Sequence, residues 1–206
     1  MKGQQEALSA VLISGILIGV VGSVYFWGIP LIQKNKDVSL LENSEAFMQT
    51  LDSKIKAVAN NGGRDQIVIS VPGLVRFDGE IVEFSIETEG TIYATDAEIL
   101  LGRSSVLESE IINGETVYHG TWGVDDPVLF KVKSSKLSQN KYKTDYTLDY
   151  VELRNAKTMS DFKITPTGQG TSGGLDKTIV IESQGDSATQ SDGRTLINSN
   201  VKISII

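Results

Sequence analysis

Residues Ala7 to Ile32 read ALSAVLISGILIGVVGSVYFWGIPLI, 26 consecutive positions without a charge in a chain of 206. The hydrocarbon core of a bilayer takes roughly 20 apolar residues as a helix, so this run is long enough to cross one. Tyr25 and Trp27 lie near its far end, where amphipathic rings favour the headgroup zone, and Lys34 and Lys36 follow as interfacial cations would. A cleaved secretory signal is the competing reading. The run exceeds an h-region of about 7–15 residues, and Ile32-Gln33-Lys34 offers no small-x-small cleavage site. The segment is therefore expected to stay attached. Gly15, Gly19 and Ser23 recur at four-residue spacing with Gly22 beside them, a row of small residues that lets another helix approach closely in lipid. Gly28-Ile29-Pro30 is expected to kink or end the helix, because proline lacks the amide donor and crowds the preceding turn.

Working outward, Ser39-Leu40-Leu41-Glu42 has the form of a capping box that would start a second, amphipathic helix. Leu40, Phe47, Leu51, Ile55 and Val58 recur at helical period, and Asn60-Asn61-Gly62-Gly63 is a stop signal. The expected helix runs from about Leu40 to Ala59 and packs its stripe on the domain that follows. From Arg64 the period changes to two. Strands are expected at Gln66–Val71, Leu74–Phe77, Glu80–Ile86, Thr91–Ala94, Ala97–Leu101, Glu108–Ile112, Glu115–Tyr118, Val128–Val132, Tyr142–Leu153, Lys177–Glu182 and Thr195–Ile206. Asp78-Gly79 and Asn113-Gly114 are hairpin dipeptides. In Tyr142–Leu153, residues Tyr142, Thr144, Tyr146, Leu148 and Tyr150 share one face, which is expected to pack. The apolar alternation at the end predicts a strand with Val201, Ile203 and Ile205 inward. Residues 168–174 and 184–193, rich in Gly, Ser, Thr and Gln, read as exposed mobile loops. The fold class that follows is mainly β: a transmembrane helix and an amphipathic helix leading into an antiparallel β-sandwich.

Composition removes several chemistries. The chain has no cysteine, so disulfide frameworks, thiolate nucleophiles and zinc-thiolate sites are excluded, and its single histidine, His119, rules out multi-histidine metal centres. Net charge is −7; residues 1–36 carry +2, and the remainder −9. Such an acidic head repels nucleic acid and anionic headgroups and suits a domain held in solvent. Gly168–Gly174 with Lys177-Thr178 resembles a phosphate loop only superficially, since Leu175-Asp176 separates glycine from lysine. Asp125-Asp126-Pro127 lacks a calcium-loop pattern and reads as a turn before a strand, and Asp186 and Asp192 are equally isolated. His119 has no sequence-evident base partner and reads as structural. No catalytic residue, cofactor site or metal site is expected, and no Asn-x-Ser/Thr sequon occurs.

Met1-Lys2-Gly3-Gln4-Gln5-Glu6, set directly before the apolar run, resembles the class III signal peptides of archaeal type IV pilin-like proteins. The resemblance covers about the first 36 residues. It implies a membrane leader peptidase cutting between Gly3 and Gln4, with Lys2 as the leader's basic residue and the apolar helix retained. Members of that family often carry a glutamate at the fifth mature position that pairs with a neighbouring subunit. Here the only early acid is Glu6, at the third. The implied organisation is a leader (1–3), a transmembrane helix (4–36), a connecting helix (37–63) and a β-sandwich (64–206). The implied role is a non-enzymatic surface subunit of a pilus-like filament, whose partners are membrane lipid, the leader peptidase and other pilin-like subunits. Two alternatives are a solitary anchored binding or adhesion domain and an accessory of a secretion or motility machine. On orientation the indications divide. Lysine counts favour a cytoplasmic head, whereas the resemblance, the more specific signal, implies a single-pass membrane protein with an extracellular head, or an extracellular filament.

Overall fold

The computed structural model describes residues 2–101, 108–112, 115–191 and 193–206, with side chains of residues 2–4, 6–8, 112, 115, 116, 169, 172 and 191 outside that description. Among the described residues one helix, α1, spans Lys2–Asn61, and twelve strands follow it. They are β1 (Arg64–Val68), β2 (Leu74–Gly79), β3 (Ile81–Thr88), β4 (Glu98–Leu101), β5 (Glu108–Ile112), β6 (Glu115–Thr121), β7 (Val128–Ser138), β8 (Lys141–Tyr150), β9 (Glu152–Asn155), β10 (Ser160–Gly173), β11 (Thr178–Ser191) and β12 (Arg194–Ile205). The protein is thus mainly β, with one long amino-terminal apolar helix.

Two expectations about the helix are corrected. Pro30 does not end it: α1 continues through Pro30 for another 31 residues, to Asn61. Proline removes one amide donor, at a cost of about 3 kcal/mol in a helix interior, and the bonds on both sides can carry that. Ser39 does not cap a new helix, because the chain is already helical there. The amide of Glu42 is satisfied by the preceding turn, leaving no orphan donor for a cap. Ser44 instead returns its hydroxyl to the carbonyl of Leu40 at 2.7 Å. The helix stops at Asn61, where Gly62 (φ +72°) takes the left-handed conformation and donates its amide to the carbonyl of Val58 at 2.9 Å.

The strands form one open path, β1-β11-β12-β10-β2-β3-β8-β7-β4, with β9, β6 and β5 branching from β10. Most ladders are antiparallel. The β10–β12 and β6–β9 ladders are parallel, so a purely antiparallel arrangement does not hold. Strand β10 was not among the expected elements, and it is the hinge of the topology. It pairs with β12 along one edge, and with β9 (at Ser160–Phe162) and then β2 (at Gly168–Gly173) along the other. Pro166 falls in the gap between those two partners, while it stands opposite Val201 in the β12 ladder. The two stretches read as loops are largely strand. Gly168–Gly173 pairs with β2, and Gly185–Ser191 pairs with the first half of β12. Their backbones find ladder partners although their side chains offer little to bury. Thr91–Ala94, expected as a strand, is irregular. The β2–β3 hairpin turns at Gly79-Glu80, one residue later than the dipeptide suggests, with Gly79 at φ +62°. The Asn113-Gly114 turn and Asp192 lie outside the described residues.

The core fills the space between α1 and the sheet. Leu41, Phe47, Met48, Leu51, Ile55 and Val58 of the helix are buried against Val75, Phe84, Tyr146, Leu148, Ile179, Ile181, Val201 and Ile203. Leu40 is only partly buried and its neighbour Leu41 takes the core position. The helix touches strands on both stretches of the sheet path: β1, β11, β12 and β10 on one side, β3 and β8 on the other. On β8, Thr144, Tyr146, Leu148 and Tyr150 are buried and Tyr142 is partly so. Val201 and Ile203 are buried in β12, and Ile205 packs partly against them.

Candidate functional site

The first candidate site is the half of α1 that the head leaves bare. Among the described residues before Asp37 no side chain is buried, and Val11, Ile18, Val21, Phe26, Trp27 and Ile32 are each more than 60% exposed. This half therefore presents apolar surface on every face. A soluble helix keeps one apolar stripe against a core, and a monomer rarely exposes a contiguous apolar surface of this size. Ala7–Ile32 spans about 39 Å at 1.5 Å per residue, against a hydrocarbon core of about 30 Å. Among the described residues it belongs to the one helix long and apolar enough to cross a membrane.

The small residues lie open on this rod. A β-carbon placed on Gly15, Gly19 or Gly22 would meet nothing within 4 Å. The hydroxyl of Ser23 donates to the carbonyl of Gly19 at 2.8 Å, so it is satisfied within its own helix. Gly3 and Gln4 lie in the first turns of α1, but the side chains of Gln4 and Glu6 are outside the described residues.

The buried half of the helix is locked to the head by polar contacts. Tyr146 donates its hydroxyl to the carbonyl of Leu41 at 2.9 Å, and Tyr93 bridges the Tyr146 hydroxyl (3.2 Å) and Glu45 (3.1 Å). Tyr150 donates to Asp52 at 2.8 Å, Lys56 pairs with Asp52 at 2.5 Å and also with Asp126, and Lys54 pairs with Asp65 at 2.8 Å. Burial pushes the phenols of Tyr146 and Tyr150 up, and that of Tyr93 up to about 12. Burial also raises Asp52, against the opposing pull of Lys56. These groups fix the helix to the sheet.

His119 is buried in β6. Its Nε2 lies 3.0 Å from Nη2 of Arg154 and must accept there, which puts the ring proton on Nδ1. Nδ1 is buried without a hydrogen-bond partner, and the nearest carboxylate, Glu152, is 3.9 Å away. Burial, and then Arg154, hold this imidazole below its ordinary value. Among the described residues no three His, Asp or Glu side chains gather in a way that could hold a metal ion. Asp125-Asp126-Pro127 is a turn before β7. Asp125 accepts the amide of Thr121 at 2.7 Å, and Asp126 accepts that of Val128 at 3.2 Å. Asp186 accepts from Ser199 at 2.9 Å.

A second candidate lies at the end of the head where α1 terminates. Trp122 stacks on Phe162, with ring centroids 4.0 Å apart and planes at 28°. The pair borders a cleft of about 350 Å³ that also contains Lys56, Asn60, Pro127, Leu153, Lys163 and Ser199. Sequence reasoning passed over Trp122; its available signal was a large aromatic beside Gly123 in a turn between two strands. No protein-family model, curated protein or solved structure matches this chain.

Proposed function

We propose that this protein is a membrane-anchored, pilin-like surface subunit with a structural rather than catalytic role. One observation carries the reading: a continuous helix is apolar and bare on every face for its first half, and locked into an acidic β head for its second. The bare half suits lipid before assembly. Packed against the same segment of other subunits, it suits the axis of a filament, where Gly15, Gly19 and Ser23 allow close approach. In this reading the leader peptidase cuts between Gly3 and Gln4, and the head lies outside the cell. The head is a sandwich in which the two stretches of the sheet path close over the buried part of α1. The net charge of −9 on the head side keeps it in solvent and away from nucleic acid.

Two measurements test this. The intact mass of membrane-extracted protein is expected to place Gln4 first, and electron microscopy of material sheared from cells is expected to show filaments containing this chain. A retained Met1 overturns the leader processing. Processed protein that stays in the membrane and never enters a filament leaves the solitary anchored binding domain in its place.

A further inference from the structure

The cleft beside Trp122 is built in a way the filament reading does not require. Trp122 is 45% exposed, yet its backbone and ring are both in contact with the head. Its amide donates to the carbonyl of Arg154 at 3.1 Å, the carbonyl of Thr121 accepts from Val124 (3.1 Å) and Asp125 (3.0 Å), and the side chain of Asp125 returns to the Thr121 amide. Gly123, at φ +80°, lets the chain turn directly after the indole. Phe162 supports the ring from below. A large aromatic fixed at a surface in this way loses little freedom on binding, which is how a preformed platform gains affinity.

The charges around the cleft point to the chemistry of the ligand. Lys56 is engaged by Asp52 and Asp126, and Lys163 by Glu80 at 2.5 Å. Both lysines of the cleft are thus neutralised, so a phosphate or carboxylate finds no unpaired cation among the described residues lining it. Asn60 is exposed, and its amide, two donors and one acceptor, has no partner among the described residues. An aromatic edge, an apolar floor of Leu153, Pro127 and Ile164, and an uncommitted amide at the rim suit a ligand with one apolar face and many neutral hydroxyls. We propose that this cleft binds a neutral glycan, laying the C–H face of a pyranose ring against Trp122 and presenting its hydroxyls to Asn60. The site lies roughly 40 Å along the helix from Ile32, so in an anchored chain it points away from lipid. The proposal stands whether or not the chain polymerises.

The test uses the full chain in detergent micelles. The sequence has two tryptophans, so Trp27→Phe leaves Trp122 as the only indole. Maltopentaose, cellopentaose, mannopentaose and chitopentaose are titrated separately, with decaproline and sialyllactose as probes of the peptide and anionic-sugar alternatives. At least one neutral oligosaccharide is expected to shift Trp122 emission saturably with a Kd of ~1 mM or tighter. Calorimetry is expected to show at least roughly tenfold weaker binding after Trp122→Ala and after Asn60→Ala. Asn60 lies on an exposed helix end, so its variant keeps the test decisive should Trp122→Ala fail to fold. The proposal is overturned by the absence of any shift at ~10 mM neutral oligosaccharide, by binding that survives both substitutions, or by binding of decaproline or sialyllactose alone.

Discussion

His119 sits in an environment unlike solution. It is held neutral because one ring nitrogen accepts from Arg154 and the other is enclosed. The unfolded chain takes up a proton near pH 6.5 before the folded chain does, so the fold loses stability as pH falls below that value. The slope reaches at most about 1.4 kcal/mol per pH unit for one proton. His119→Gln is expected to flatten the stability curve between about pH 5 and 6.5, as read by chemical denaturation of the full chain in micelles. An unchanged slope would remove His119 as its source. Asp161 acts in the same direction, in a more acidic window. Arg194 donates to both of its oxygens, one at 2.6 Å, and holds the carboxyl below the usual carboxylate range. That contribution is present at neutral pH and is lost as pH falls through the lowered value. Asp161→Asn is therefore expected to cost about 1–3 kcal/mol at pH 7, with the difference from wild type shrinking in strong acid.

At the scale of the element, glycines separate the two halves of the molecule. A β-carbon on Gly73 would stand 2.3 Å from Cζ of Phe84 and 2.7 Å from the carbonyl oxygen of Ser85. Gly73→Ala is expected to destabilise the head by about 1–3 kcal/mol in thermal or denaturant melts, because Phe84 is fully buried and cannot step aside. Gly15 and Gly19 have open space around them. Gly15→Leu with Gly19→Leu should leave the melt of the head unchanged and abolish filaments in the sheared fraction. Persistence of filaments would mean that this row is not a packing face.

The legibility of the sequence follows the same division. The helical stripe, the β8 face and the Val201–Ile203 alternation were readable because burial imposes a period on apolar residues. Strand β10 was not, because Pro166 and the glycines of its second half imitate a loop, and only its long-range partners β12 and β2 make it a strand. Capping at Ser39 misled for a related reason. A local box has meaning only where a helix begins, and the apolar run upstream had already started one. The Trp122 cleft assembles from α1, the β6–β7 turn, β9, β10 and β12, a convergence with no local signature.

For the whole molecule, one helix joins a bare apolar half to a half buried in the head. Its second half belongs to the head's core through Leu41, Met48, Leu51 and Ile55, while its first half has no protein surface to cover it. Burying the side chains of that first half in lipid is worth about 1.5–3 kcal/mol for each large aliphatic one, far beyond any loss at Pro30. The most direct measurement is alkaline carbonate extraction of native membranes followed by intact mass of the retained chain. The protein is expected to remain with the lipid and to include Ala7–Ile32 within its mass. Protein released into the wash, or a native chain beginning beyond Ile32, would contradict the account.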